Sequence, residues 1–96
     1  MRHTYIVSYD IADPKRLRKV FRLCQDYGNH LQYSVFECDL NATERVELES
    51  KLNGTIHHDD DQVLFIELGP AETRGDRQIT AIGQAYHHFD EACYVV

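Results

Sequence analysis

The stretch Tyr5-Ile6-Val7-Ser8-Tyr9-Asp10-Ile11-Ala12-Asp13-Pro14 constrains the chain more than any other. Its first half is β-branched and aromatic, the composition of a buried strand. Along it Thr4, Ile6, Ser8 and Asp10 alternate with Tyr5, Val7 and Tyr9, and neither set reads as a solvent face. Helices can cover one face; a partner chain is the expected cover for the other. The strand runs out into two carboxylates. Asp13-Pro14 reads as a helix start, with the aspartate as N-cap and the proline at the first helical position. Asp10, the last residue before the chain leaves the strand, can face an adjoining crevice and hold a cation there. The bland alternative is a turn cap that binds nothing.

The spacing predicts a helix over residues 14–27. Leu17, Val20, Phe21 and Cys24 fall at i, i+3, i+4 and i+7 and form an apolar stripe for the sheet. Lys15, Arg18, Lys19 and Arg22 repeat that spacing on another face, and Arg16 adds a fifth positive charge. Composition matters at this point. Ten basic against sixteen acidic residues give a net charge of -6, yet half of the basic residues lie in this helix. A phosphate partner is therefore met by a local ridge and not by the overall field. A solvated helix face is the competing reading. Gly28 is expected to close the helix as a left-handed C-cap.

Residues 30–40 read as one long strand or as two, broken near Tyr33-Ser34. Ser34 lacks any triad pattern and is expected to be a half-buried strand serine. Asn41-Ala42-Thr43-Glu44 has the capping-box arrangement. A second helix follows to about residue 53, with Gly54 as its stop, Val46, Leu48 and Leu52 as its apolar residues and acidic exposed faces. His57-His58-Asp59-Asp60-Asp61 is dense in metal-ligand types, but adjacent side chains point apart, so a solvated turn is expected. Gln62-Val63-Leu64-Phe65-Ile66-Glu67-Leu68 is nearly continuous in apolar residues and is expected at the centre of the sheet. Arg74 and Arg77 lie in a polar loop as candidates for backbone-phosphate contact. Residues 79–83 suggest a short edge strand, His87-His88 an irregular stretch, and Cys93-Tyr94-Val95-Val96 a short apolar strand at the end.

Ninety-six residues make a single domain, spanning 1–96. Three cysteines without zinc-ligand spacing suit reduced thiols in a cytoplasm. No opening signal pattern and no apolar run of membrane-spanning length is present in the sequence, so a cytoplasmic protein with no membrane partner is expected. The order strand, basic helix, strand, helix, strand argues for an α+β fold. The expected form is a ferredoxin-like sandwich with helices on one face of an antiparallel sheet, plus a short C-terminal strand.

Tyr9-Asp10-Ile11 closing the first strand, Tyr27-Gly28 closing the first helix, and Gln32-Tyr33-Ser34-Val35-Phe36-Glu37-Cys38 stand in an order that resembles the CRISPR-associated Cas-two family. That family supplies the small subunit of the spacer-acquisition complex. The resemblance covers about residues 4–68. It implies a homodimer in which two sheets face each other and the two Asp10 carboxylates approach the two-fold axis. It also implies metal-dependent endonuclease activity, with Asp10 as the catalytic and metal-binding residue and Mg2+, or another divalent cation such as Mn2+, as cofactor. A second implied role is a bridge between two dimers of the Cas-one integrase, with double-stranded DNA lying across the assembly. RNA is the other polyanion to consider. The residues expected to touch nucleic acid are Lys15, Arg16, Arg18, Lys19 and Arg22, joined by Arg74 and Arg77. The alternatives on the same kind of fold are a toxin-like ribonuclease unrelated to CRISPR, or a small-molecule regulatory domain.

Overall fold

The computed structural model describes residues 1–73 and 80–84. Arg74, Arg77, Ile79, His87-His88 and the expected strand over residues 93–96 lie outside the described residues. The element order is β1 (His3–Asp10), α1 (Pro14–Gln25), β2 (Asn29–Gln32), β3 (Val35–Leu40), α2 (Ala42–Asn53) and β4 (Gln62–Pro70), followed by a 3-10 turn over Ala71–Thr73. The strands form one sheet in the order β2-β3-β1-β4. Every pairing is antiparallel. This is the α+β, ferredoxin-like arrangement that the sequence suggests.

Helix starts follow their local chemistry. Asp13 sits in an extended conformation and its carboxylate accepts the Arg16 N–H at 3.0 Å, with Pro14 leading the helix. This hydrogen bond, before any charge effect, holds the Asp13 carboxyl below its usual range. At α2, Asn41 Oδ1 accepts the Glu44 N–H at 2.8 Å while Glu44 returns the bond to the Asn41 N–H at 2.9 Å. The capping box is complete.

Both helices pack on one face of the sheet. Tyr5, Val7 and Tyr9 of β1 and Phe36, Cys38 and Leu40 of β3 are buried beneath Val20, Phe21, Cys24, Leu48 and Leu52. Each such side chain removed from water contributes about 1.5–3 kcal/mol before entropy is counted. Val46 is the exception among the apolar residues of α2. It is exposed.

The opposite face is different. Ile6 pairs with Ile66, and Ser8 stands between Val35 and Leu64. Leu64 and Ile66 remain 47% and 48% exposed, and Leu68 is exposed beside them. One face of the sheet is therefore core and the other is an uncovered apolar surface.

Several expectations need correction. β4 lies at the edge of the four-stranded sheet among the described residues, with β1 and β3 inside. Its continuous apolar run reflects a strand whose helix-facing side is partly buried and whose other side is apolar but open. A register shift between Thr4 and Tyr5 inserts Leu68 opposite them, and Gly69 accommodates the bulge at φ +108°.

Helix α1 ends at Gln25, capped by Asp26 in a right-handed conformation, so Gly28 is not a left-handed cap. Gly28 is needed for space. A Cβ there would stand 2.4 Å from Cys38 Sγ and 2.5 Å from the Glu37 carbonyl oxygen.

Residues 30–40 are two strands, broken at Tyr33-Ser34. Ser34 belongs to that turn and not to a strand, and its carbonyl accepts the Tyr9 N–H at 3.0 Å. Residues 80–84 form no strand; Gly83 adopts φ +96° and Ile82 is fully exposed. Asp61 is the last correction, and it belongs to the site.

Candidate functional site

Antiparallel topology gathers five features at one end of the sheet. They are the carboxyl end of β1 with Asp10, the Tyr33-Ser34 turn, the start of β4 at Gln62, the amino end of α1, and the turn over residues 57–61. Asp10 pairs with Gln62 along the β1–β4 ladder and is exposed. Among the described residues no side chain pairs with its carboxylate. An exposed, unpartnered carboxylate at a strand end leaves its oxygens free for a ligand from outside the chain.

Asp61 is the opposite case. The sequence places it in a run of acids and histidines that reads as solvated, yet its side chain is fully buried. Arg16 holds it with two bonds, Nε donating to Oδ2 at 2.8 Å and Nη2 donating to Oδ1 at 3.2 Å. The Ala12 N–H donates to Oδ1 at 2.9 Å and the His57 N–H to Oδ2 at 2.8 Å. Asp61 thus ties three segments together, and one of them is the loop that follows Asp10. The Arg16 guanidinium, ahead of the two backbone donors, holds the Asp61 carboxyl far below the ordinary carboxylate range.

This arrangement divides the basic residues of α1. Arg16 directs its guanidinium onto Asp61, and that same bond raises its own pKa. Lys15, Arg18, Lys19 and Arg22 are exposed, and among the described residues none is ion-paired. They form a ridge down the outside of the helix whose buried side is Val20, Phe21 and Cys24. Four free cations at helical spacing can contact successive backbone phosphates without reading bases.

The cysteine thiols among the described residues are locked away. Burial pushes the Cys24 and Cys38 thiols up to about 12, which makes them inert at neutral pH. The Tyr9 hydroxyl is buried without a partner among the described residues, and burial raises its pKa as well. Among the described residues no cluster of three or more His, Cys, Asp or Glu side chains could hold a metal ion. At the carboxyl end of β1 one chain by itself offers a cation the Asp10 carboxylate, with Asp59 of the neighbouring turn a second exposed acid that has no ion pair among the described residues. Among the described residues, no helix is long and apolar enough to cross a membrane.

The role of Asp61 was not visible in the sequence. The one available signal was its place immediately before the β4 run, which puts it beside the loop between β1 and α1 once those strands pair.

Comparison with known proteins bears on the family and the fold. The family model described as CRISPR associated protein Cas2 matches residues 2–74. A Rhodospirillum rubrum protein named CRISPR-associated endoribonuclease Cas2 1 is 39% identical over 98% of this chain and 91% of its own length. A Geobacter sulfurreducens CRISPR-associated endoribonuclease Cas2 is 38% identical over 90% of each chain. A crystal structure of Streptococcus pyogenes Cas2 superposes with a TM-score of 0.67 at 35% identity, covering 80% of this chain and 99% of that one. With the ferredoxin-like sheet already in hand, these matches leave an unrelated toxin-like ribonuclease without support: the chain belongs to the Cas2 family of CRISPR-associated proteins.

Proposed function

We propose that the protein works as a homodimer that binds duplex DNA along α1 and bridges dimers of the Cas-one integrase during spacer acquisition, and that it can cleave phosphodiesters at Asp10. The observation that carries this reading is the pairing of an exposed carboxylate, free of partners among the described residues, with a free basic ridge that starts five residues later, at Lys15 in the first turn of α1. The names of the relatives, which specify an endoribonuclease, support RNA as a substrate at the Asp10 crevice.

The uncovered apolar face supports a dimer. Ile6, Leu64 and Ile66 on one sheet would be covered by the same residues of a second copy, as in an isologous interface. Such an arrangement brings a second Asp10 to the crevice. That matters because Mg2+ takes one or two carboxylates and completes its shell with water and phosphate oxygens. The donor set fits this ion, or Mn2+, better than a metal that wants nitrogen or sulfur ligands. The chemistry such an ion supplies is activation of a water and polarisation of the phosphoryl oxygen. The chain's own residues do the rest. Asp10 presents its carboxylate oxygens, Lys15, Arg18, Lys19 and Arg22 hold the backbone, and the Asp61–Arg16 pair fixes the loop that joins them.

Matched assays of nuclease activity and spacer integration on the Asp10→Ala protein test both roles. The expected result is a dimer of unchanged mass that integrates spacers and no longer cleaves. Cleavage at the wild-type rate would move the nuclease elsewhere, and loss of integration would remove the scaffold role from the basic ridge alone.

A further inference from the structure

Tyr33 sits at the tip of the β2–β3 hairpin and is 76% exposed. Its backbone lies at φ +31°, and it is the one non-glycine residue at positive φ among those described. That conformation suits glycine or asparagine and is strained for a tyrosine. The turn is nonetheless held firmly. The His30 ring Nε2 donates to the Tyr33 carbonyl at 2.7 Å, and the neighbouring Ser34 carbonyl accepts the Tyr9 N–H at 3.0 Å. Beneath the turn the His30 ring packs on Phe36 and Phe21, with centroids 4.9 Å and 5.1 Å away. A large aromatic ring is therefore presented to solvent on a rigid mount, at a position where local stability alone favours another residue. Through the Ser34–Tyr9 bond, the mount is fixed next to the residue preceding Asp10.

We infer that Tyr33 is a stacking platform for one unpaired base of a single-stranded nucleic acid whose backbone passes Asp10. Base stacking on an aromatic ring requires a base that is not already stacked within a duplex, and it is indifferent to base identity. The two surfaces then separate by substrate: duplex on the α1 ridge, single strand at the Tyr33 turn. The inference rests on the reading of Asp10 as the centre of phosphodiester chemistry, but its test does not involve cleavage.

Binding of fluorescently labelled oligouridylate, oligothymidylate and a mixed-sequence duplex is measured by anisotropy in the presence of a chelator. The Tyr33→Asn protein should bind both single strands about tenfold more weakly. Its duplex affinity, its mass in solution and its melting temperature should be preserved, the last rising if anything because asparagine tolerates the left-handed conformation. Tyr33→Phe should bind as wild type does. Tyr33→Trp places the only tryptophan in the chain at this tip, and its emission should be quenched by either single strand and not by the duplex. Unchanged single-strand affinity in Tyr33→Asn, an equal loss for duplex, or a shift in oligomeric mass would overturn the inference. The last of these would assign the ring to contact between two copies. Because no divalent ion is present, each outcome is independent of whether Asp10 cleaves.

Discussion

Asp10 and Asp61 are two carboxylates at one end of one sheet, and they have opposite surroundings. Asp61 is fully buried and accepts four hydrogen bonds, two from Arg16 and one each from the Ala12 and His57 backbone. Asp10 is exposed and, among the described residues, accepts none from a side chain. Every donor that Asp61 needs is provided within the chain, so its charge is spent on architecture. Asp10 has its oxygens unclaimed by any described side chain, which leaves them open to a ligand from outside the chain. The same division runs through α1, where Arg16 is committed to Asp61 while Lys15, Arg18, Lys19 and Arg22 remain open. Carboxylates and cations that look equivalent in the sequence have been separated by the fold into those that hold the loop and those that the loop presents.

The sharpest way to break this division is to remove one charge at a time. Asp10→Asn should lower divalent-ion-dependent cleavage by about 10²-fold or more, with no change in melting temperature, because no described side chain depends on it. A parallel loss of folding, followed by circular dichroism, would place Asp10 with Asp61 instead. Replacing Lys15, Arg18, Lys19 and Arg22 by glutamine should reduce the salt slope of duplex binding by about 3 to 4, or roughly 0.9 for each phosphate contact. Arg16→Gln should leave that slope nearly unchanged while lowering the melting temperature. If Arg16 alters the slope as strongly as Arg18 does, the split within α1 is wrong.

Asp61→Ala should be less visible in binding than in stability. It leaves a guanidinium and two backbone N–H groups without their acceptor, and a fall in melting temperature on the order of ten degrees is expected for a domain of this size. Asp61→Asn gives a finer test through pH. The folded-state pKa of Asp61 is depressed, so its stabilisation is complete above the ordinary carboxylate pKa of about 4 and is lost as pH falls below that value. The melting curves of wild type and Asp61→Asn should therefore differ most near neutrality and converge in acid. A separate test of packing, with no charge involved, concerns Gly28. Alanine there meets Cys38 Sγ and the Glu37 carbonyl, with an expected cost of about 1–3 kcal/mol by chemical denaturation. A left-handed cap would instead have shown its strain at φ, which Gly28 does not have.

Much of this was legible because it is written locally. The Asp13-Pro14 start, the Asn41–Glu44 capping box and the break at Tyr33-Ser34 each depend on a few neighbouring residues, and each is found where the sequence suggests. Asp10 could be singled out as the last residue of a strand without a solvent face. What could not be read depends on contacts distant in sequence. Asp61 meets Arg16 across 45 positions, and nothing in His57-His58-Asp59-Asp60-Asp61 marks the third aspartate as buried. Gly28 serves a close approach to β3, which in sequence looks the same as a helix cap. β4 reads as central because its outer face is apolar, a property that fits an interior strand and an edge strand awaiting a partner equally well.

That last ambiguity bears on the central proposal, that the open apolar face pairs two copies so that their Asp10 carboxylates face each other. Pulsed dipolar spectroscopy on a spin label at Asp10→Cys, in a Cys93→Ser background with Cys24 and Cys38 buried, measures the separation directly. The account predicts one short distance between the two labels of a dimer. A monomer, or a dimer with its labels at opposite ends, would contradict it.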